Sequence, residues 1–381
     1  MDFQLTEEQQ MLKDSARRFL EEQCAFDARA ALVAQGAYDA GRWRTMADLG
    51  WLGMAIPEEQ GGLGTSAIET ALLMEEMGRV LCVEPYWAVA VLTAQTIAAA
   101  GDAAWAERLL PDLAGGTALP VLAHGEHAAR GLLSHVATTA TPDGTGKWVL
   151  AGKKSLIVGG NVADSFIVSA RTSGNLTGKH GITLFVVPRN APGLTVRHVR
   201  LLDNRWCADI EFDNVCIEAG GLLGGIGDAY GALDHGHAHA MIGLCAEAIG
   251  VMEKALWLTR DYLKVRKQFG VTLNTFQALQ HRMSEMLIEL ELSRGMLHKA
   301  LSCMGLPEEE RQRALSAAKI HIGRSGKFVC GQAIQLHGGI GVTEEYVVGH
   351  HFKRMTTIEY ALGSSHFHLE RLAGHERRQA A

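Results

Sequence analysis

The periodicity of apolar residues changes twice along this chain, and those two changes constrain its fold more than any other feature. Up to about residue 118 the pattern is helical. Thr6 and Gln9 have the spacing of a capping box, which starts a helix at about residue 7 with Leu12, Ala16, Phe19 and Leu20 along one face. Further helices fit 40–50, 66–80 and an alanine-rich block at 86–114 that ends at Gly115-Gly116, and the turn-rich stretch Ile56 to Gly64 separates the first two of these. From Leu119 to about 217 the runs shorten and gain β-branched residues: LPVLAHG, HVATTATP, KWVLAGKKSLIV, DSFIVSART, GITLFVVP and ADIEFDNVCI. Glycine, proline, asparagine and aspartate punctuate them, as in an antiparallel sandwich or barrel. After a glycine-rich junction, Gly220 to Gly231, helical spacing returns over 232–265, 274–303, 308–335 and 364–376. The reading is a multidomain α+β protein: an N-terminal all-α domain (1–118), a middle antiparallel β domain (119–229) and a C-terminal four-helix bundle (230–381).

A chain of 381 residues is too long for one simple core, which fits this division. A formal charge of −6 with no basic run argues against nucleic acid as the main partner. Seven cysteines, an odd number, are scattered without a CxxC pair, so reduced thiols in a cytoplasm are expected. The acidic, amphipathic start MDFQLTEEQQ is no signal peptide, and no apolar run is long enough for a membrane span.

The segment from Ala232 to Gly270 carries the most chemistry. Met241, Leu244, Cys245, Ala248, Ile249 and Met252 recur at helical spacing, and Glu247 is the one carboxylate inside that run. The segment ends in YLKVRKQFG, where Arg266 and Lys267 precede an aromatic and a glycine. A helix offering an acid to a buried cavity and cations at its end suits a redox cofactor carrying phosphates. The plainer readings are a solvated helix-end cation for Arg266 and, for Glu247, a structural acid paired with a buried arginine or bridging helices.

Three stretches together resemble the acyl-CoA dehydrogenase family: IPEEQGGLG, YLKVRKQFG followed by FQALQHRMSEM, and QLHGGIGVTEEY. They occur in the family's segment order over essentially the whole chain. LCAEAIG, SAAKIHIGRS and VGHHFKR bring it nearest to the small-subunit branch represented by pimeloyl-CoA dehydrogenase. The resemblance implies FAD held between the β domain and the C-terminal bundle, with a neighbouring subunit completing the site in a homo- or hetero-tetramer. It implies that Arg266 and Phe269 meet the FAD of a partner subunit, that Gln277 lies on the following cofactor-side helix, and that Gln335, Gly338 and Gly339 approach the FAD phosphates and adenosine. An arginine fork suits a pyrophosphate, and glycines let backbone N–H groups come close to it. Of the family's flavin-side β loop only Glu126 survives, within Gly125 to Gly131, and the second flavin-side strand reads Leu156-Ile157-Val158, with Ile157 at the cofactor.

The family's chemistry takes a proton from the acyl α-carbon while hydride leaves the β-carbon, which requires a base and stabilisation of an enolate-like oxygen. The glutamate that usually serves is replaced here by Leu362 in Ala361-Leu362-Gly363-Ser364, and the alternative position on the long helix reads Ala240. Glu247 lies seven residues after Ala240, close to two turns on and about 10 Å along the same face, so it is the candidate base, with Glu359 as a weaker one. The backbone N–H of Leu362 remains the candidate donor to the thioester oxygen, and Ser364 stands where a flavin-contacting threonine is usual.

The resulting expectation is an FAD-dependent α,β-dehydrogenase of an acyl-CoA, with a dicarboxylyl or otherwise bulky acyl chain as the branch implies, passing electrons to an electron-transfer flavoprotein in fatty acid metabolism. The alternative is a non-catalytic subunit of a heteromeric acyl-CoA dehydrogenase that completes the FAD site of a partner chain. The run DHGHAH (Asp234 to His239) puts His235 and His239 on one helical face, but without an HExxH pattern it reads as a polar helix start and not as a metal site. His350, His351, His366 and His368 read as surface or subunit-contact residues.

Overall fold

The computed structural model describes residues 4–379. In chain order the helices are α1 (Glu7–Gln23), α2 (Phe26–Gln35), α3 (Ala40–Asp48), α4 (Ala67–Arg79), α5 (Ala94–Ala98) and α6 (Ala103–Ala114), with a π-helical stretch, Trp87–Thr93, running into α5. Strands follow: β1 (Pro120–Ala123), β2 (Thr139–Pro142), β3 (Trp148–Val158), β4 (Ser165–Arg171), β5 (Ile182–Pro188), β6 (Leu194–Arg200), β7 (Trp206–Ile217) and β8 (Leu222–Leu223). The chain then forms α7 (Tyr230–Val265), a two-stranded ribbon β9 (Lys267–Gln268) and β10 (Val271–Thr272), α8 (Gln277–Ser302), α9 (Glu308–His337), α10 (Val347–Tyr360) and α11 (Ser365–Gln379). This is the helical, β, helical order that the resemblance implies. Among the described residues no helix is long and apolar enough to cross a membrane.

Two compact units emerge: one holds the residues to Ala30, Ala67–Cys82 and Met241 onward, the other Ala31–Ser66 and Val83–Ala240. In the first unit α9 is central, with α8, α10 and α11 packed on it, while α1 packs on α4. The start of α1 shows the capping box: the Gln9 N–H donates to Thr6 Oγ1 at 3.2 Å and the Thr6 N–H to Gln9 Oε1 at 3.1 Å. α4 and α7 touch backbone to backbone. A Cβ on Gly78 would lie 2.1 Å from the Glu247 carbonyl oxygen, and one on Gly250 would lie 1.8 Å from that of Glu75. Only glycine permits that approach, so the crossing fixes the depth at which Glu247 sits.

α10 lies outside the helices read from periodicity. Its sequence VVGHHFKRMTTIEY is rich in β-branched residues and histidine, which are indifferent helix formers. What holds it is burial of Val348, His351, Arg354, Met355 and Ile358, a tertiary gain that overrides weak propensity. His350, His351 and His368, expected at the surface or at subunit contacts, are 6%, 1% and 0% exposed within the chain, whereas His366 does face solvent.

In the second unit the eight-stranded sheet runs β6-β7-β3-β2-β4-β5-β8, with β1 added beside β4. It is antiparallel except where β4 meets β1 and β2. The extra strand β6, LTVRHVR, escapes a sequence reading because it carries charges on an outer edge against β7.

Candidate active site

The two glycine-bearing motifs of the C-terminal half meet through a stack of rings. Tyr262, near the end of α7, donates its hydroxyl to the His337 carbonyl at 3.2 Å and lies 4.4 Å from the His337 ring. His337 Nδ1 sits 2.7 Å from the Ala333 carbonyl, so Nδ1 carries the proton and Nε2 accepts from the Tyr346 hydroxyl at 3.3 Å. Burial holds the imidazole below its usual range and keeps it neutral. This stack anchors the chain where α9 ends at Gly338, whose φ of 66° suits glycine. Gln335, Gly338 and Gly339 are exposed, and a Cβ built on either glycine would meet nothing within 4 Å. The result is a rigid, open length of backbone, the form a phosphate cradle needs.

Beyond Tyr262 the chain turns out of the bundle. The Arg266 N–H still donates to the Tyr262 carbonyl at 2.9 Å, then Lys267 and Gln268 pair with Thr272 and Val271. Arg266 is exposed, Phe269 is 91% exposed at φ 52°, and Gln277 opens α8 on the exposed side. Covering a phenylalanine ring is worth roughly 1.5–3 kcal/mol, so this tip has the character of an arm and not of a finished surface.

The turn between α10 and α11 presents Leu362 at φ 55°, sparsely populated for a residue other than glycine. It is clamped from several sides. Lys319 Nζ donates to the Ile358 and Glu359 carbonyls at 2.8 and 2.9 Å. His368 Nε2–H donates to the Leu362 carbonyl at 3.1 Å, and its Nδ1 lies 3.0 Å from Ser316 Oγ. Glu359 accepts the Ser365 N–H and hydroxyl, each at 2.9 Å. Gly323 makes room for that carboxylate, since a Cβ there would lie 2.1 Å from Glu359 Oε2. Ser364 Oγ accepts the Phe367 N–H at 3.3 Å and so caps α11. The Leu362 N–H therefore sits on a strained, well-held turn, while Glu359, the weaker base candidate, is spent on holding it.

Glu247 is not placed as a base. Arg354 grips it with two parallel hydrogen bonds, Nε to Oε1 at 2.7 Å and Nη2 to Oε2 at 2.6 Å. The carboxylate and guanidinium are 2% and 3% exposed. A bidentate, desolvated pair of this kind takes up both carboxylate oxygens. The expectation that Glu247 removes the α-proton is corrected accordingly: the structural reading, an acid paired with a buried arginine, is the one the coordinates support.

The β-unit candidates divide. Glu126 turns into the sheet, accepting from Lys154 Nζ at 2.7 Å, from the Ala137 and Thr138 N–H groups at 2.7 and 3.0 Å, and from the Thr138 hydroxyl at 2.8 Å. Burial opposes its ionisation, but the Lys154 ammonium and these donors outweigh it and hold its carboxyl below the usual range. Lys154 is fully buried, which brings its ammonium down to about 8 against the pull of Glu126. The Glu126 side chain thus braces the Gly125–Gly131 loop, with Oε1 accepting from Lys154 and Thr138 and Oε2 from the Ala137 N–H. Ile157 is buried in β3 opposite Ala208, so only its backbone is available to a ring.

His235 and His239 do share a face, with rings 4.6 Å apart, and His235 Nε2 lies 3.0 Å from Gln95 Oε1. Sequence reasoning missed Arg354, Lys319, His368 and Lys154. SAAKIHIGRS and VGHHFKR contain two of them, and a lysine or arginine amid apolar helical positions was the available signal.

Comparison with known proteins supports the same architecture. Three family profiles match in order: the acyl-CoA dehydrogenase N-terminal domain over residues 6–117, the middle domain over 123–215 and the C-terminal domain over 225–376. The chain belongs to the acyl-CoA dehydrogenase family. A probable acyl-CoA dehydrogenase of Bacillus subtilis, YngJ, is 32% identical over 96% of this chain and 97% of its own. Among solved structures, the Tcur3481–Tcur3483 steroid acyl-CoA dehydrogenase (a variant) is 30% identical, covers 98% of this chain and 99% of its own, and has a TM-score of 0.86. The ChsE4–ChsE5 complex of Mycobacterium tuberculosis is 25% identical, covers 98% of both chains and has a TM-score of 0.87. As an acyl-CoA dehydrogenase the chain is an FAD-dependent oxidoreductase. The open Gly338-Gly339 backbone and the exposed Arg266 fork fit a flavin dinucleotide's phosphates.

Proposed function

We propose that this acyl-CoA dehydrogenase works as one chain of a two-chain assembly, contributing cofactor-binding groups while a companion chain supplies the carboxylate base. The observation that carries this reading is the Glu247–Arg354 pair together with Leu362 in the clamped turn: the one acid inside the α7 apolar run is neutralised, and the turn offers a backbone N–H with no carboxylate. The printed names of two structural neighbours, each a pair of chains, support the arrangement.

In this assembly Arg266, Phe269 and Gln277 reach the FAD of the neighbouring chain, and Gln335, Gly338 and Gly339 hold phosphates through side-chain amide and backbone N–H groups. The Leu362 N–H donates to the thioester oxygen and stabilises the enolate-like charge that develops there. Ser364 keeps the turn in register by capping α11, and Ile157 offers its backbone to the ring system. Bound FAD supplies the hydride acceptor, with an electron-transfer flavoprotein as the onward partner. The substrate reading is a bulky acyl-CoA, of the dicarboxylyl kind suggested by the resemblance to the pimeloyl-CoA dehydrogenase branch or of the steroid kind named for a neighbour.

The arm is testable separately from the base. Arg266→Ala removes charge-assisted hydrogen bonds worth about 1.5–3 kcal/mol, so FAD in the assembly should bind roughly ten- to a hundredfold more weakly, read by equilibrium dialysis or flavin fluorescence. Phe269→Ala should weaken both FAD retention and association of the chains. Unchanged FAD affinity in Arg266→Ala would remove the arm from the cofactor site.

A further inference from the structure

We propose that Cys24 and Cys82 form a dithiol site, independent of the flavin chemistry, that low-molecular-weight disulfides oxidise to an intramolecular disulfide. Their sulfur atoms lie within 4.8 Å of each other. Cys24 follows the last turn of α1 and Cys82 comes three residues after α4, two helices that pack together. Both backbones are pinned: the Cys24 N–H donates to the Leu20 carbonyl at 2.9 Å and the Cys82 N–H to the Met77 carbonyl at 3.0 Å, with Leu81, between α4 and Cys82, at φ 55°. The approach of the thiols is therefore built into the helix ends.

Their exposures differ in the way an attacking and a resolving thiol require. Cys24 is partly exposed and Cys82 only 4%. The C-terminal end of α1 disfavours a thiolate on Cys24. The buried Arg29, one helical turn into α2, donates to the Leu81 carbonyl at 3.3 Å and so holds the segment that carries Cys82, and the exchange quickens as rising pH ionises the thiols. The step balances as two exchanges. The Cys24 thiolate attacks one sulfur of the reagent RSSR, forms Cys24–S–SR and expels RS⁻. The Cys82 thiolate then attacks the Cys24 sulfur, forms the Cys24–Cys82 bond and expels a second RS⁻. Two protein thiols lose two electrons and two protons, and one RSSR becomes two RSH.

The other cysteines provide controls. Burial pushes the Cys207, Cys245 and Cys330 thiols up to about 12, 11 and 12, so they resist reaction, whereas Cys216 is exposed. The full-length protein is incubated with glutathione disulfide, alkylated and mapped by mass spectrometry without reduction. The result expected is a Cys24–Cys82 linked peptide lighter by two hydrogens than its two parts, alongside a glutathione adduct that persists on Cys216. In Cys82→Ala the adduct should instead accumulate on Cys24, and in Cys24→Ala Cys82 should stay unmodified. A stable glutathione adduct on Cys24 in the unaltered chain, or an unreacted Cys24 while Cys216 is modified, overturns the proposal without need of either variant.

Discussion

Replacing Glu247 by alanine should cost about 3–5 kcal/mol of folding stability, because it takes the bidentate carboxylate away from a buried guanidinium. The expectation follows from the bidentate geometry at 2.6 and 2.7 Å and from exposures of only 2% and 3%. Removing both charges together is a different experiment. A Glu247→Leu, Arg354→Met double variant replaces two desolvated ions by apolar groups of similar length, and such exchanges are often neutral or stabilising. The double variant should therefore recover most of the loss, and chemical denaturation of the two single variants and the double forms a cycle that isolates the coupling. The same cycle separates structure from chemistry. A base replaced by leucine cannot be rescued at another residue, whereas a structural pair can. If Glu247→Gln folds like the unaltered protein yet loses all flavin bleaching, the base role returns.

Acidification should weaken the fold well before its carboxylates are titrated. Burial pushes the imidazole of His351 down to about 4 and that of His368 down to about 3, against about 6.5 in an unfolded chain. Above pH 6.5 neither state binds the proton, so stability is flat with respect to these groups. Between pH 6.5 and the folded values the unfolded chain takes up protons that the native state refuses. Stability therefore falls as pH falls, by about 1.4 kcal/mol per pH unit for each residue. At pH 5 the two together should have removed roughly 4 kcal/mol, and the loss should level off near pH 3 to 4. His351→Gln and His368→Asn should each flatten the slope between pH 6.5 and 5. An unfolding midpoint in denaturant that does not change between pH 7 and pH 5 would contradict the buried, neutral state of both rings.

Much of this architecture was legible in the sequence because local pattern and tertiary outcome agree. The Thr6–Gln9 capping box, the long α7 and the switch to short β-branched runs at Leu119 are local signals, and each appears where read. α10 was not legible, since VVGHHFKRMTTIEY owes its helix to burial on α9 and not to propensity. That omission had a consequence at the site. Arg354 lies on α10, 107 residues from Glu247, and without that helix Glu247 looked like an unclaimed acid facing a cavity. The strained turn was half legible: the motif order placed Leu362, but its φ of 55° and the clamp by Lys319 and His368 depend on contacts between helices. Buried histidines in α10 and α11 read as surface or subunit-contact residues for the same reason, since polar side chains in a weakly periodic helix carry no mark of what will cover them.

In the proposed assembly this chain helps to hold FAD and thioester but leaves proton abstraction to a carboxylate on another chain. Anaerobic titration with a bulky acyl-CoA, followed by the flavin's visible absorbance, tests it most directly on two preparations: the chain purified alone, and the chain co-produced with a larger homologue from the same genome. The account predicts little bound flavin and no bleaching for the first, and bleaching for the second that disappears when the companion's glutamate is changed to glutamine. Stoichiometric flavin in the chain alone, bleached by the acyl-CoA, would contradict it.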